Sequence, residues 1–326
     1  MRPDFSVLLL TTLIGAGQGL FLALFSVQVH ATFALLPPQD GRAFHAYGSL
    51  VALLFLGAGL AASFFHLGRP ERAWRAAASW RTSWLSREVI VLPAFMGVVF
   101  VYGALHLLEW RPVLVVLRSG AALDATFAVG VVGTLLAFAL FLCTAMIYAC
   151  LPFLREWASP LTAINFTLLG CASGFTLAAA FAAWTEPGTW RFLAGWALAL
   201  TLLGFASRVA SLIRNAQLRP RSTLQTAIGI KHPNIVQKSM GFLGGSFNTH
   251  EFFHGRPLSL LRSLRWLFPA GAFVVPAVQL AACLAGAPPA LLWPAFLVQY
   301  AGLLAERWFF FAEANHPQNL YYQAIA

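Results

Sequence analysis

Residues 122–151 read ALDATFAVGVVGTLLAFALFLCTAMIYACL, a stretch of thirty residues in which Asp124 is the only charge. A helix needs about 20 mostly apolar residues to cross the hydrocarbon of a bilayer, so this stretch is a membrane span with length to spare. Gly130 and Gly133 lie inside it, and tilt or a kink takes up the excess. Seven further stretches meet the same rule, at 6–34, 45–67, 87–108, 160–184, 191–213, 266–285 and 289–312.

The composition agrees. Of 326 residues, 59% are hydrophobic and 10% charged, where soluble domains carry ~25% charge. Mean hydropathy is +0.73. So few charges cannot cover a soluble surface of this size. Cytosolic α/β enzymes, secreted disulfide scaffolds and disordered chains are excluded. The first apolar run exceeds the roughly 7–15 residues of a signal-peptide core. No alternating apolar pattern repeats along the chain, which argues against a barrel. The expected fold is an all-α integral membrane bundle of eight transmembrane helices, a single domain over 1–326.

Loop charges orient the bundle. With eight spans both termini share a side. Seventeen Lys and Arg fall on that side: Arg2, five between 69 and 87, Arg155, nine from 208 to 265, and Arg307. The other side has four: Arg42, Arg111, Arg118 and Arg191. Positive charge stays in the cytoplasm, so both termini are expected there, with a long cytoplasmic loop at about 214–265. A connection of that length is usually functional. The aromatics Phe242, Phe247, Phe252 and Phe253 among its glycines argue for an ordered cap. Two pairs of small residues, Gly15 with Gly19 and Gly170 with Gly174, are spaced for close helix contact.

Chemistry is expected in the second cytoplasmic segment, FHLGRPERAWRAAASWRTSWLSREVI at 65–90. His66 closes span two and Glu88 opens span three, both at the membrane boundary. Ionisable groups there are costly and often functional. A His and a carboxylate beside an apolar pocket can exchange protons with a quinone head group, whose chemistry moves two electrons and two protons. The plainer reading makes His66 a helix cap and pairs Glu88 with Arg87 or Arg69. Trp74, Trp80 and Trp84 alternate with Arg72, Arg75, Arg81 and Arg87, which suits headgroup anchoring and equally a docking face for a soluble partner.

Other signals are weaker. Cys143, Cys150, Cys171 and Cys283 lie in apolar runs without CxxC spacing, as buried free thiols do. His250 and His254 are four apart but lack a third ligand, so no metal site is expected. His30, His45 and His106 sit near the opposite ends of spans one to three, where two of them are a candidate pair for haem. A transporter would need ionisable groups at mid-bilayer; Asp124 and Glu306 are the deepest here.

HLGRPERAW (66–74) and LSREV (85–89) resemble the membrane anchor of the dimethyl sulfoxide reductase family. Within it, YACLPFLREWASPLTAINFTLLGCASGFTLA (148–178), GFLGGSFNTHEFFHG (241–255) and LLAERWFFFAEANHPQNLYYQ (303–323) are most similar to the anchors of cytoplasmic membrane-bound sulfite dehydrogenases. The resemblance implies a non-catalytic subunit in the bacterial inner membrane. It binds an iron–sulfur subunit with [4Fe–4S] clusters, and through it a catalytic partner that carries a molybdenum bis-guanylyl pterin. It passes electrons to ubiquinone or menaquinone, here in sulfite oxidation; the alternative is an anchor that oxidises menaquinol for dimethyl sulfoxide reduction. The resemblance puts quinone contact and proton transfer on His66 and Glu88, with Arg87 beside them as a point of difference. It puts an arginine of the last span on Arg307, which Glu306 is expected to pair. It implies no haem. Partner docking is expected at Arg72, Trp74, Arg75 and Trp80.

The charge count yields a direct expectation. A C-terminal reporter that is active only in the cytoplasm will be active, and a reporter that needs export will be silent. The reverse pattern inverts the whole topology.

Overall fold

A computed structural model of the chain describes residues 2–37, 41–219, 223–236 and 256–317. The elements are α1 Phe5–Thr32, α2 Arg42–Phe64, a 3-10 helix at Pro70–Ser79, α3 Trp84–Leu107, β1 Val113–Val116, β2 Ala122–Asp124, α4 Ala125–Ala149, α5 Pro160–Thr185, α6 Trp190–Ala216, the short α7 Leu224–Ile228, α8 Leu258–Leu284 and α9 Leu292–Glu313. Seven of these are long and apolar enough to cross a membrane. The protein is a multi-pass helical membrane protein.

Side chains that satisfy free N–H groups start the helices. Asp4 accepts from Ser6 N, Ser83 from Ser86 N, Asp124 from Phe127 N and Ser159 from Leu161 N. Asp124 is therefore the cap of α4, not a group at mid-bilayer. Residues 122–124, expected from hydropathy to begin a span, instead pair antiparallel with β1 in a hairpin turned at Gly120, φ +83°. Helix α2 ends at Phe64, so His66 lies beyond it. Helix α8 begins at Leu258, eight residues earlier than its apolar run.

Helix α8 bends through a π-turn at Ala270–Val274 between Pro269 and Pro276. Pro276 has no N–H for the carbonyl of Ala272, four residues back. Gln299 Nε2 of α9 approaches that carbonyl at 3.5 Å, which answers the lost bond from a neighbouring helix.

Helices α1 and α5 form the centre. In their core stretches 78% of residues are buried, against 28–39% in the other five spans. They meet backbone to backbone. A Cβ on Gly19 would lie 2.2 Å from the Gly170 carbonyl oxygen, and one on Gly174 would lie 2.1 Å from Gly19 C. The remaining helices pack around this pair, α2 on α1, α6 on α5, and α4 on both. Helix α9 lies against α5 and α8, with Gly302 touching Ala272 and Gly271.

Segment 237–255 lies outside the described residues. So do the centre of the expected cap, with Phe242, Phe247, Phe252, Phe253, His250 and His254, and the C-terminal residues after 317.

Gly174→Val drives a side chain into the α1 backbone, so no rotamer relieves it. Overpacking a core costs ~1–3 kcal/mol even where side chains can yield; here it will abolish the monodisperse, heat-resistant species in detergent. Gly57→Ala, with nothing within 4 Å of the new methyl, will leave the melting curve unchanged.

Candidate functional site

The helices alternate in direction, so the start of α1, α3 and α5 and the end of α4, α6 and α9 share one end of the bundle. Two sets of buried polar side chains gather there.

The first centres on Glu88, one turn into α3 and 6% exposed. Thr144 of α4 donates a hydrogen bond to its Oε1. Glu88 forms no ion pair among the described residues. Arg87, next to it, points elsewhere: its Nε donates to the Trp80 carbonyl at 2.9 Å, its Nη2 to the Arg81 carbonyl at 2.8 Å, and its guanidinium lies 4.2 Å from the Trp84 ring centroid. Arg87 thus ties the connection after the 3-10 helix to the start of α3 and leaves Glu88 without a cation. His66 is exposed in the turn after α2 and makes no side-chain hydrogen bond or ion pair among the described residues. No contact joins it to Glu88.

The second set is ionic. Arg208 Nε of α6 lies 2.7 Å from Glu306 Oε1, and Arg208 Nη2 lies 3.9 Å from Glu313 Oε2. Arg307 Nη2 lies 3.4 Å from Glu306 Oε2. Two guanidiniums and two carboxylates make a neutral cluster, the form in which charge survives burial. Rings surround it, with the Arg307 guanidinium 3.8 Å from the Phe166 centroid and that of Arg208 5.5 Å from Phe268. The contacts are close but poorly aligned. Arg208 Nε and Nη2, Arg307 Nε and Glu306 Oε2 have no hydrogen-bond partner among the described residues.

The two sets face each other across a small cavity between α1, α4, α5 and α9, lined by Thr144 of the first and Arg307 of the second. Its volume is about 20 Å³.

On the same side the 3-10 helix Pro70–Ser79 is amphipathic and exposed. Trp74 is 71% and Trp80 53% exposed. Arg75 and Arg81 lie 5.5 and 5.4 Å from the Trp74 and Trp80 rings, and Arg72 is exposed, 3.9 Å from Glu71.

At the far end, His45 and His106 are buried and stack face to face, centroids 4.4 Å apart and planes 11° apart. Axial haem ligands instead point at one iron from opposite sides. His30 bonds the Ser26 carbonyl at 2.7 Å, and its ring lies 4.5 Å from that of Phe192. Of the four cysteines, Cys150 is exposed at the end of α4, against the expectation of burial.

Sequence reasoning missed Arg208 and Thr144. Arg208 counts among the loop charges by position, yet it is 2% exposed inside α6. Arg307, at 4%, is also inside its helix. Without these two the loop charges divide 15 to 4, with the same sign. A lone arginine inside an apolar run, FASRVAS at 205–211, was the available signal for Arg208. A threonine in a span carries none, since its hydroxyl can bond its own helix.

Two comparisons bear on this arrangement. The family profile described as "DMSO reductase anchor subunit (DmsC)" matches residues 1–237. A sulfite dehydrogenase subunit of Allochromatium vinosum is 56% identical to this chain over 326 residues, the full length of both.

Burial separates pairs of equal length. Removing one partner of a buried ion pair costs ~3–5 kcal/mol, while exposed pairs contribute ~0–1 kcal/mol. Glu306→Gln will lower the melting temperature in detergent steeply. Arg42→Gln, which breaks the exposed 2.6 Å pair with Glu109, will leave it within error.

Proposed function

The chain belongs to the DMSO reductase anchor subunit (DmsC) family, and from that premise we propose that it is the quinone-reactive membrane anchor of a molybdenum oxidoreductase that oxidises sulfite. Its full-length 56% identity to a sulfite dehydrogenase subunit supports sulfite over dimethyl sulfoxide as the substrate of the catalytic partner. The whole chain acts as one membrane domain with eight spans. The eighth is α9, which is 22 residues long. Its Glu306 and Arg307 lower its hydropathy, and the pairing of Glu306 with both Arg307 and Arg208 offsets part of their cost in lipid. Both termini face the cytoplasm of a bacterial inner membrane, a reading supported by the bias of the loop charges.

The exposed tryptophan–arginine face of Arg72, Trp74, Arg75 and Trp80 receives the iron–sulfur subunit, whose [4Fe–4S] clusters lead on to the molybdenum cofactor of the catalytic partner. Trp and Arg are the residues that anchor interface cores. Clusters and molybdenum belong to those partners.

Quinone reacts at the start of α3. The observation that carries this reading is Glu88: a buried carboxyl group within a membrane helix, held by one hydroxyl and, among the described residues, by no cation. Reduction of a quinone to a quinol takes two electrons, which come singly from the partner's clusters, and two protons, which this chain supplies. Glu88 hands over a proton at the membrane boundary, and His66, exposed at the aqueous edge, offers a second route. Arg87 holds the connection that frames the site.

Glu88→Gln keeps the shape and removes the titratable proton. Acid–base assistance is worth ~10²–10⁴-fold. The purified complex of this variant with both partners will assemble, its clusters will still be reduced by sulfite, and quinone reduction will fall by about that factor. Quinone reduction at the parental rate would make Glu88 a structural group.

A further inference from the structure

The cavity beside Glu88 is too small for quinone and well built for water. Small-molecule ligands occupy pockets of ~300–1,000 Å³. This cavity has about 20 Å³, and ~10–15 Å³ of such space takes one water.

Its polar lining is complementary to water. Thr11 donates to the Val7 carbonyl at 3.0 Å, Thr12 to Leu8 at 2.8 Å and Ser173 to Gly170 at 3.0 Å, while Thr144 donates to Glu88. A hydroxyl has one proton and two lone pairs. Each of these four has committed its proton, so each offers the cavity an acceptor. Arg307, also in the lining, has a buried Nε–H without a partner and offers the donor. A water that donates to two hydroxyls and accepts from Arg307 Nε completes about three hydrogen bonds, the usual number for a buried water. An unsatisfied guanidinium N–H is expensive, and no described protein group answers this one.

We propose that the cavity between α1, α4, α5 and α9 holds one or two ordered waters, fixed by Arg307, that deliver protons to Glu88 through the Thr144 hydroxyl. This rests on the reading of Glu88 as the proton donor to quinone. After Glu88 gives up its proton, Thr144 passes its hydroxyl proton to the carboxylate along the existing hydrogen bond. It takes a proton from the adjacent water in the same step. Bulk water at that end of the bundle restores the proton to the cavity, so no other reactant is consumed. Arg307 never loses its proton. Its role is to orient the water oxygen, and Glu306 and Arg208 hold Arg307 in place.

The test uses the intact complex in nanodiscs. A high-resolution cryo-electron-microscopy map is expected to show water density between Thr144 and Arg307; a dry cavity, or one filled by quinone, overturns the proposal. Thr144→Val keeps the shape and removes the relay. It is expected to lower kcat for quinone reduction about tenfold or more, leave the quinone KM and cluster reduction by sulfite unchanged, and enlarge the solvent deuterium isotope effect; the loss stays below the ~10²–10⁴-fold set for Glu88 itself. Thr144→Ser is expected to restore the parental values. Thr11→Val removes another cavity acceptor without touching Glu88 and is expected to act in the same direction. If Glu88→Gln abolishes turnover while Thr144→Val and Thr11→Val retain the parental kcat and isotope effect, the quinone site stands and the water relay falls. If Glu88→Gln itself turns over normally, the Glu88 reading falls, and the relay falls with it whatever the map shows.

Discussion

The contact between α1 and α5 is the constraint on which the rest of the bundle depends. Lipid supplies no hydrophobic drive between helices, so packing must come from close approach. Gly19 and Gly174 bring the two backbones together to distances that forbid a Cβ. The same stripe of small residues does a second thing one turn away. Gly15, Gly170 and Ser173 carry too little side chain to fill the space between α1, α4, α5 and α9, and the cavity opens there. Phe141 from α4 closes part of it over Gly170. Tight helix contact and an internal polar void are therefore two results of one sequence feature.

Charge in the membrane interior divides into two kinds. The Arg208–Glu306–Arg307–Glu313 cluster is self-neutralising and stacked on rings, which is how permanent charge is kept in a low-dielectric place. Glu88 has no such neutralisation. It has a hydroxyl donor, a connection to the cavity through that donor, and a boundary position. A structural carboxylate at this depth needs a cation, and Arg87 is within reach by sequence but is spent on the Trp80 and Arg81 carbonyls. Among the described residues Glu88 is thus left without a cation, the state that the proposed proton transfer calls for.

Much of this was legible in the sequence, because lipid imposes a length and a composition that soluble folds do not. The seven candidate helices all coincide with apolar runs. The glycine pairs pointed to close helix contact, and the structure joins the two pairs to each other across α1 and α5. Glu88 was visible as a carboxylate inside such a run, and Glu306 with Arg307 as an adjacent pair. What was not legible depends on contacts between helices distant in the chain. Arg208 reaches Glu306 across 98 residues, and Thr144 reaches Glu88 across 56. Spacing along one helix says nothing about either. Helix ends also escaped, since they follow backbone capping rather than hydropathy: α2 stops two residues before His66, and residues 122–124 join a hairpin.

The last span shows how a hydropathy rule and a buried ion cluster work against each other. Helix α9 is 22 residues long and packs into the bundle like the others, yet among the described residues it is the one long helix absent from the candidate spans. The reason is Glu306 and Arg307, whose transfer cost counts in full when residues are scored alone. In the folded chain part of that cost is offset within a four-residue cluster, where Glu306 pairs with both Arg307 and Arg208 and Glu313 adds a second carboxylate; Arg208 of α6 itself looks like an ordinary flanking charge. Each member of the cluster is a defect in its own helix and a partner in the bundle. Reading the helices one at a time therefore penalises the place where buried charges pair, and the dip in the hydropathy of α9 is itself a marker of that place.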